Sequence, residues 1–341
     1  MKPALDVASL VLGIAILYWG AEWLIRGSAG LARALGVTPL VVGLTVVAYG
    51  TAAPELAVAT KTALAGHTPI ALGTVIGSCA ANIALALGLV ALIAPPTIDG
   101  RIIRRELPVL VGSAIAVPIL FRNGVLSQFE GIFLVGCAVV FTIAQLTVAA
   151  RLDVDLDLAE RAHADQAESD DAAASSSAFR AGAAAGGKAR PKASRVLSLI
   201  MMVFGLALLV LGATLLVGGG RGIAQQLGMS ERMLGLTIIA LGTALPELIR
   251  AVVAAARGEA ALAVSTVIGS NLLSVFLVLG VTACIKPIRL GERMHLVDLL
   301  GLVAITLLGV LVMRGSRRIT RFEGALLVLA YIAFLVCAAI F

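Results

Sequence analysis

A phrase of thirteen residues occurs twice in this chain: residues 43–55 read GLTVVAYGTAAPE and residues 235–247 read GLTIIALGTALPE, identical at nine positions. The copies lie 192 residues apart, and that offset holds without a gap well beyond them. TVIGS stands at 74–78 and again at 266–270, while Gly20, Gly36, Gly88 and Pro95 recur as Gly212, Gly228, Gly280 and Pro287. A match of this length makes the chain two copies of one unit. Any fold is then built twice, and any site made by the shared phrase is made by a pair.

Composition identifies the solvent. Hydrophobic residues make up 60% of the 341, charged residues only 13%, and the mean hydropathy is +1.04. Soluble chains carry about 25% charged residues, and a bilayer span needs roughly 20 mostly apolar ones. Such stretches fall at 7–27, 38–65, 69–94, 107–121 and 127–149, and again at 196–218, 230–257, 260–285, 295–313 and 322–341. The first belongs to the repeat, so it reads as a retained helix and not a cleaved signal. Five spans per copy is an odd number, which makes the second copy enter the membrane from the opposite side. The expected fold is therefore an all-α polytopic membrane protein of ten transmembrane helices, arranged as two inverted five-helix repeats over 1–149 and 196–341. Inverted repeats bring their shared motifs together near the midplane.

Residues 150–195 differ from the rest. Eight acidic residues fall between Asp153 and Asp171, followed by an Ala/Ser/Gly tract and then Lys188, Arg190, Lys192 and Arg195. Without a continuous apolar face this segment reads as a disordered tether, with one amphipathic piece in Leu152–Leu158. The linker side of the expected topology holds 18 of the 26 Lys and Arg residues. That bias puts the linker in the cytoplasm of a bacterial inner membrane and both termini outside. The net charge of +6 reflects this topology and is no nucleic-acid signal. The chain's partners are the lipid bilayer and inorganic cations, and the sequence names no protein partner. Cys79, Cys137, Cys284 and Cys337 all sit in apolar stretches without metal-ligand spacing, as small packing residues do.

Glu55 and Glu247 stand deep in apolar spans. An ionisable residue there costs at least ~2.5–3.5 kcal/mol and marks a functional site. Pro54 and Pro246 loosen the helix just before each carboxylate, and freed carbonyls are tolerated in a membrane where they line a cavity. Thr51 precedes Glu55 by four residues, as Thr243 precedes Glu247, which stacks an oxygen beside each carboxylate on a continuing helix. In the next span of each repeat, Ser78 and Asn82, then Ser270 and Ser274, share the same four-residue step. These residues form an all-oxygen set suited to hard cations such as Ca²⁺ and poorly suited to Zn²⁺ or Cu⁺.

GTAAPEL with TVIGSCAAN, and GTALPEL with STVIGSN, resemble the two alpha-repeats of the sodium/calcium exchanger family of cation/Ca²⁺ antiporters. The resemblance spans nearly the whole chain outside the linker. It implies exchange of Ca²⁺ against Na⁺ by alternating access, without a cofactor, peripheral helices 1 and 6 sliding or rocking to expose the site. Glu55 and Glu247 would be the central Ca²⁺ ligands, completed by the backbone carbonyls of Thr51 and Thr243. The carbonyls of Ala48 and Ala240, with Ser78 and Ser270, would serve flanking Na⁺ sites.

Four positions depart from the family pattern. Ala52 and Ala244 lack the serine hydroxyl usual after the motif threonine, Ser274 stands at a commonly acidic position, and Cys79 replaces a frequent asparagine. Asn82 and Asn271 keep the usual residue types. Fewer oxygens weaken a sodium site, so proton binding to Glu55 or Glu247 is the alternative coupling, as in an H⁺-coupled divalent exchanger. A transport-impaired relative is a further alternative. It rests on the lost oxygens and on Arg250, three residues after Glu247, which either faces that carboxylate or snorkels to the surface. A channel would need no counter-ion. An intramembrane hydrolase would need a nucleophile with a base or a paired-histidine metal motif, and no His-Glu-x-x-His occurs. Glu22 and Arg26, four apart, read as a local pair, and Trp19 and Trp23 as interfacial or packing aromatics. His67 and His295 sit near span ends.

Overall fold

The computed structural model describes residues 2–37, 39–98, 100, 102–167, 195–290, 296–315 and 317–340. Among these residues, eight helices are long and apolar enough to cross a membrane. These are α1 Lys2–Ala34, α3 Thr68–Ile93, α5 starting at Gln128, α6 Arg195–Gln226, α7 Glu231–Ala256, α8 Ala263–Ile285, α9 Leu296–Gly315 and α10 Arg321–Ile340. In lipid every backbone polar group must be satisfied within the protein, which is why apolar runs of this length form helices. Two further segments coincide with the spans expected at 38–65 and 107–121. Residues 39–64, α2, are helical but interrupted at Ala52. Leu107–Leu120, α4, is only 14 residues long, with Pro108 in its first turn and Pro118 inside it.

The helix begun at Gln128 runs on to Ala167, into the segment read as a tether. The rest of that segment, 168–194, and His295 lie outside the described residues. The all-α expectation also gains a small exception. Val125–Leu126 pairs antiparallel with Ile288–Arg289, forming strands β1 and β2 of a two-residue ladder. At the linker-side ends of the helices, Thr97 bridges Arg318; residue 97 is 192 before residue 289, so equivalent loops of the two repeats meet at both ends.

The helices divide by burial. α3 and α8 form the centre, lined by Ile70, Leu72, Ile76 and Ile83 from one repeat and Val264, Ile268, Leu272 and Val278 from the other. α1, α5, α6 and α10 present Val11, Ile132, Val203 and Leu329 outward to the membrane. α1 and α6 pack along their length on glycines. A methyl group at Gly20 would sit 2.9 Å from Leu209 N, one at Gly205 2.8 Å from Gly20 O, and one at Gly212 3.0 Å from Gly13 O. Without a hydrophobic drive between helices in lipid, such backbone approach supplies the packing energy. Gly13 meets Gly212 while Gly20 meets Gly205, so these equivalent helices run antiparallel. Trp23 packs at a 43° tilt against Phe204 across the same seam, ring centroids 4.9 Å apart, and Glu22 pairs with Arg26 at 2.7 Å. Of the glycines at 218–220, Gly219 and Gly220 mark tight packing, with a methyl at Gly220 lying 2.9 Å from Ile239 Cδ1, while Gly218 has nothing within 4 Å.

Candidate cation site

The two phrases fold alike up to their threonines, Thr51 and Thr243. Residues 43–47 and 235–239 each form a π-helical turn, in the same register after the 192-residue shift. Further π turns fall at 81–86 and 274–279, alongside the phrases. Such turns widen a helix locally and gather at functional sites; no propensity rule announced them. Beyond the threonines the copies diverge. α2 breaks at Ala52 and restarts at Ala53, with Pro54 in the first turn. α7 instead continues as an α-helix over Ala240–Ala256, straight through Pro246. The expected loosening occurs in the first repeat and not in the second.

Glu55 and Glu247 are both buried, at 1% and 6% exposure, and near enough for their charges to repel. Each carboxylate is held by the opposite repeat. Ser274 Oγ donates to Glu55 Oε2 at 2.5 Å. Asn82 Nδ2 donates to Glu247 Oε2 at 3.2 Å. Ser274 and Asn82 are equivalent positions, so the cross-repeat clasp is made twice. Ser270 Oγ adds a hydrogen bond to Glu247 Oε2, and Ser78 lies beside Glu55. The second oxygen of each, Oε1, has no hydrogen-bond partner among the described residues. A buried anionic oxygen left without a partner is costly, and a cation is the species that would satisfy it.

The threonines act differently from the acids. Thr51 Oγ1 donates to Ala48 O at 2.7 Å, and Thr243 Oγ1 donates to Ala240 O and Ile239 O, both at 3.1 Å. Their hydroxyls are thus turned into the helix, onto the carbonyls expected to serve flanking ions. Asn271 Nδ2 donates to Cys79 O at 3.1 Å. Residues 79 and 271 are themselves 192 apart, so equivalent residues touch and the two-fold relation between repeats passes between them. Arg250 is half-buried and, among the described residues, forms no ion pair with Glu247, although its charge is felt there. No three His, Cys, Asp or Glu side chains gather among the described residues. The centre is therefore two carboxylates with hydroxyl and amide oxygens.

A cavity of about 350 Å³ reaches this centre from one side, lined by Ala48, Thr51 and Ser270 at its inner end and by Glu106 and Gln145 among others. Tyr49 and Thr142, joined by a 2.6 Å hydrogen bond, also line it. Of these lining residues, Glu106, Gln145, Tyr49 and Thr142 were not singled out from sequence. Glu106 carried a usable signal, because the 192-residue offset from it lands on another acid, Asp298.

Two halves related by the 192-residue offset, each clasping the other's buried carboxylate and leaving one oxygen free, form the kind of centre that suits a membrane transporter of hard cations. The model of the sodium/calcium exchanger protein family matches residues 5–147 and 197–339, one match to each repeat. The chain is 29% identical to the sodium/calcium exchanger MaX1 of Methanosarcina acetivorans, with 96% of each chain covered. It is 30% identical to the inner membrane protein YrbG of Escherichia coli over 97% of this chain and 96% of that one. The solved structure of the sodium-calcium exchanger NCX_Mj superposes with a TM-score of 0.60 at 28% identity, covering 97% of this chain and 98% of the other. The chain belongs to the sodium/calcium exchanger family. It is a multi-pass membrane antiporter and not an enzyme.

Proposed function

We propose that the protein exchanges Ca²⁺ against a monovalent cation by alternating access, with Ca²⁺ held between Glu55 and Glu247. The observation that carries the reading is the pair of buried carboxylates, each with a partnered Oε2 and an unpartnered Oε1. Two negative charges match a divalent ion, and hard cations take oxygen ligands. The carbonyls of Thr51 and Thr243 supply further oxygens in this reading, and the Ala48 and Ala240 carbonyls with Ser78 and Ser270 supply the monovalent sites. Ten spans in two inverted repeats, with the linker cytoplasmic and both termini outside, complete it. The antiparallel run of α1 and α6 and the excess of basic residues on the linker side support that topology. The cavity through Glu106 and Gln145 then faces the cytoplasm.

Sodium is the coupling ion named by the family. Protons are the second reading, favoured by one observation: Ala52 and Ala244, each 1% exposed, put methyl groups where a serine would add an oxygen beside each phrase. Ca²⁺ uptake into liposomes containing the purified protein separates the two. An outward Na⁺ gradient is expected to drive uptake if the missing hydroxyls are dispensable. Uptake driven only by an outward proton gradient makes the two glutamates shared proton and calcium sites. Uptake under neither gradient refutes calcium exchange.

A further inference from the structure

The two halves of the ion path are related by sequence and unequal in structure. On the linker side, Ser265, Thr266 and Gly269 of α8 line the open cavity, Thr266 is exposed, and a methyl at Gly269 would meet nothing within 4 Å. The equivalent face of α3 carries Gly73, Thr74 and Gly77 and is shut. A methyl at Gly73 would lie 3.0 Å from Arg232 O, one at Gly77 2.6 Å from Ala240 Cβ, and Thr74 is 0% exposed. The start of α7 is the element that closes it.

What holds α7 there is a buried ion pair. Arg232 Nε donates to Asp298 Oδ2 at 2.5 Å and Arg232 Nη2 to Asp298 Oδ1 at 2.8 Å. The two side chains are 7% and 0% exposed. Asp298 is the counterpart of Glu106, the acid lining the open cavity, while the counterpart of Arg232 is Leu40. The arginine of this pair therefore belongs to the second repeat's sequence and is not duplicated in the first. Glu231 also ties α7 outward, to His67 Nδ1 at 2.8 Å and Arg221 at 3.5 Å. Those three groups are partly exposed, and exposed pairs contribute little.

We infer that the Arg232–Asp298 pair is the latch that keeps the ion path closed on the face opposite the linker, and that its release opens there a cavity equivalent to the one at Glu106. The inference rests on the alternating-access reading for its purpose, but not for its test. A bidentate arginine–carboxylate pair is geometrically specific, and opening replaces it with hydration of both charges. Removing one partner strands the other as an unpaired buried charge, which is strongly unfavourable; water entering an opened path relieves it. Replacing both by apolar residues leaves nothing to hydrate and keeps the path shut.

The test is labelling of single introduced cysteines by a membrane-impermeant thiol reagent, read by mass spectrometry with the native cysteines as internal reference. Thr74→Cys reports the closed side and Thr266→Cys the open side. With Arg232 intact, Thr74→Cys is expected to be silent from the face opposite the linker. Adding Arg232→Leu, or Asp298→Asn if the former does not fold, should raise its labelling at least tenfold and lower that of Thr266→Cys from the linker face. The double variant Arg232→Leu/Asp298→Leu should return Thr74→Cys to silence. A Thr74→Cys that stays silent in a folded single variant overturns the latch, and so does a rise at both positions together. A double variant labelled more than either single overturns it too, as damage to packing alone. Labelling needs no ion flux, so a protein that moved no calcium would still answer.

Discussion

At the residue scale the site is an argument about oxygens. Glu55 and Glu247 each spend one oxygen on the opposite repeat and keep one free, so the halves are tied together by the same carboxylates that are proposed to hold the ion. Glu55→Gln or Glu247→Gln removes one of two charges. Losing a partner from a buried charge cluster costs about 3–5 kcal/mol, so calcium affinity is expected to fall by ~100-fold or more. Thermal stability without calcium should hold or rise, because the mutual repulsion is relieved, and the stabilisation by calcium should vanish. Thermal melts of each variant with and without calcium check this, and a preserved calcium-induced shift would remove the glutamates from the centre. The acids and the Ser78/Asn82 and Ser270/Ser274 pairs were legible from spacing alone. The inward turn of the Thr51 and Thr243 hydroxyls was not, since a threonine in a helix can bond either its own backbone or a neighbour.

At the element scale the seam between α1 and α6 joins two peripheral helices by glycine contact. Gly20→Ala and Gly205→Ala face each other across it, where an added methyl would lie 2.9 Å from Leu209 N and 2.5 Å from Leu24 N. Overpacking of this kind costs about 1–3 kcal/mol, and the two variants should destabilise to a similar degree. Gly112→Ala, with nothing within 4 Å, should be neutral or stabilising by ~0.4–1 kcal/mol. Denaturant or thermal unfolding in detergent reads all three, and a tolerated Gly20→Ala would mean the helices are not in close contact. The repeated glycines pointed to small-residue packing; which glycine meets which required the fold. The π turns left no mark that propensity could catch, because widening a helix by one residue depends on what packs outside it.

At the scale of the whole molecule, two chemically similar halves adopt different states. The linker side is open through Glu106 and Gln145, and the other side is closed by α7. The helix from Gln128 continues to Ala167, so the tether read from sequence is a proposal for the residues after it alone. Deleting 168–190 should leave liposome exchange within about twofold of the parent, a surface change of the kind that costs little; lost activity would make the segment regulatory.

The sequence by itself determined the membrane environment, the duplication, the opposed entry of the two copies and the identity of the paired acids, because these follow from hydropathy, a constant offset and the cost of charge in lipid. Only the tertiary structure decided that Asn82 and Ser274 reach across to the partner repeat's glutamate, that α2 breaks at Ala52 while α7 runs through Pro246, and that one path is open and its counterpart shut. The reason is that near-identical phrases pack against unlike neighbours. Asp298 meets Arg232, residue 40 in the other copy is leucine, and the offset that pairs the motifs does not describe their surroundings.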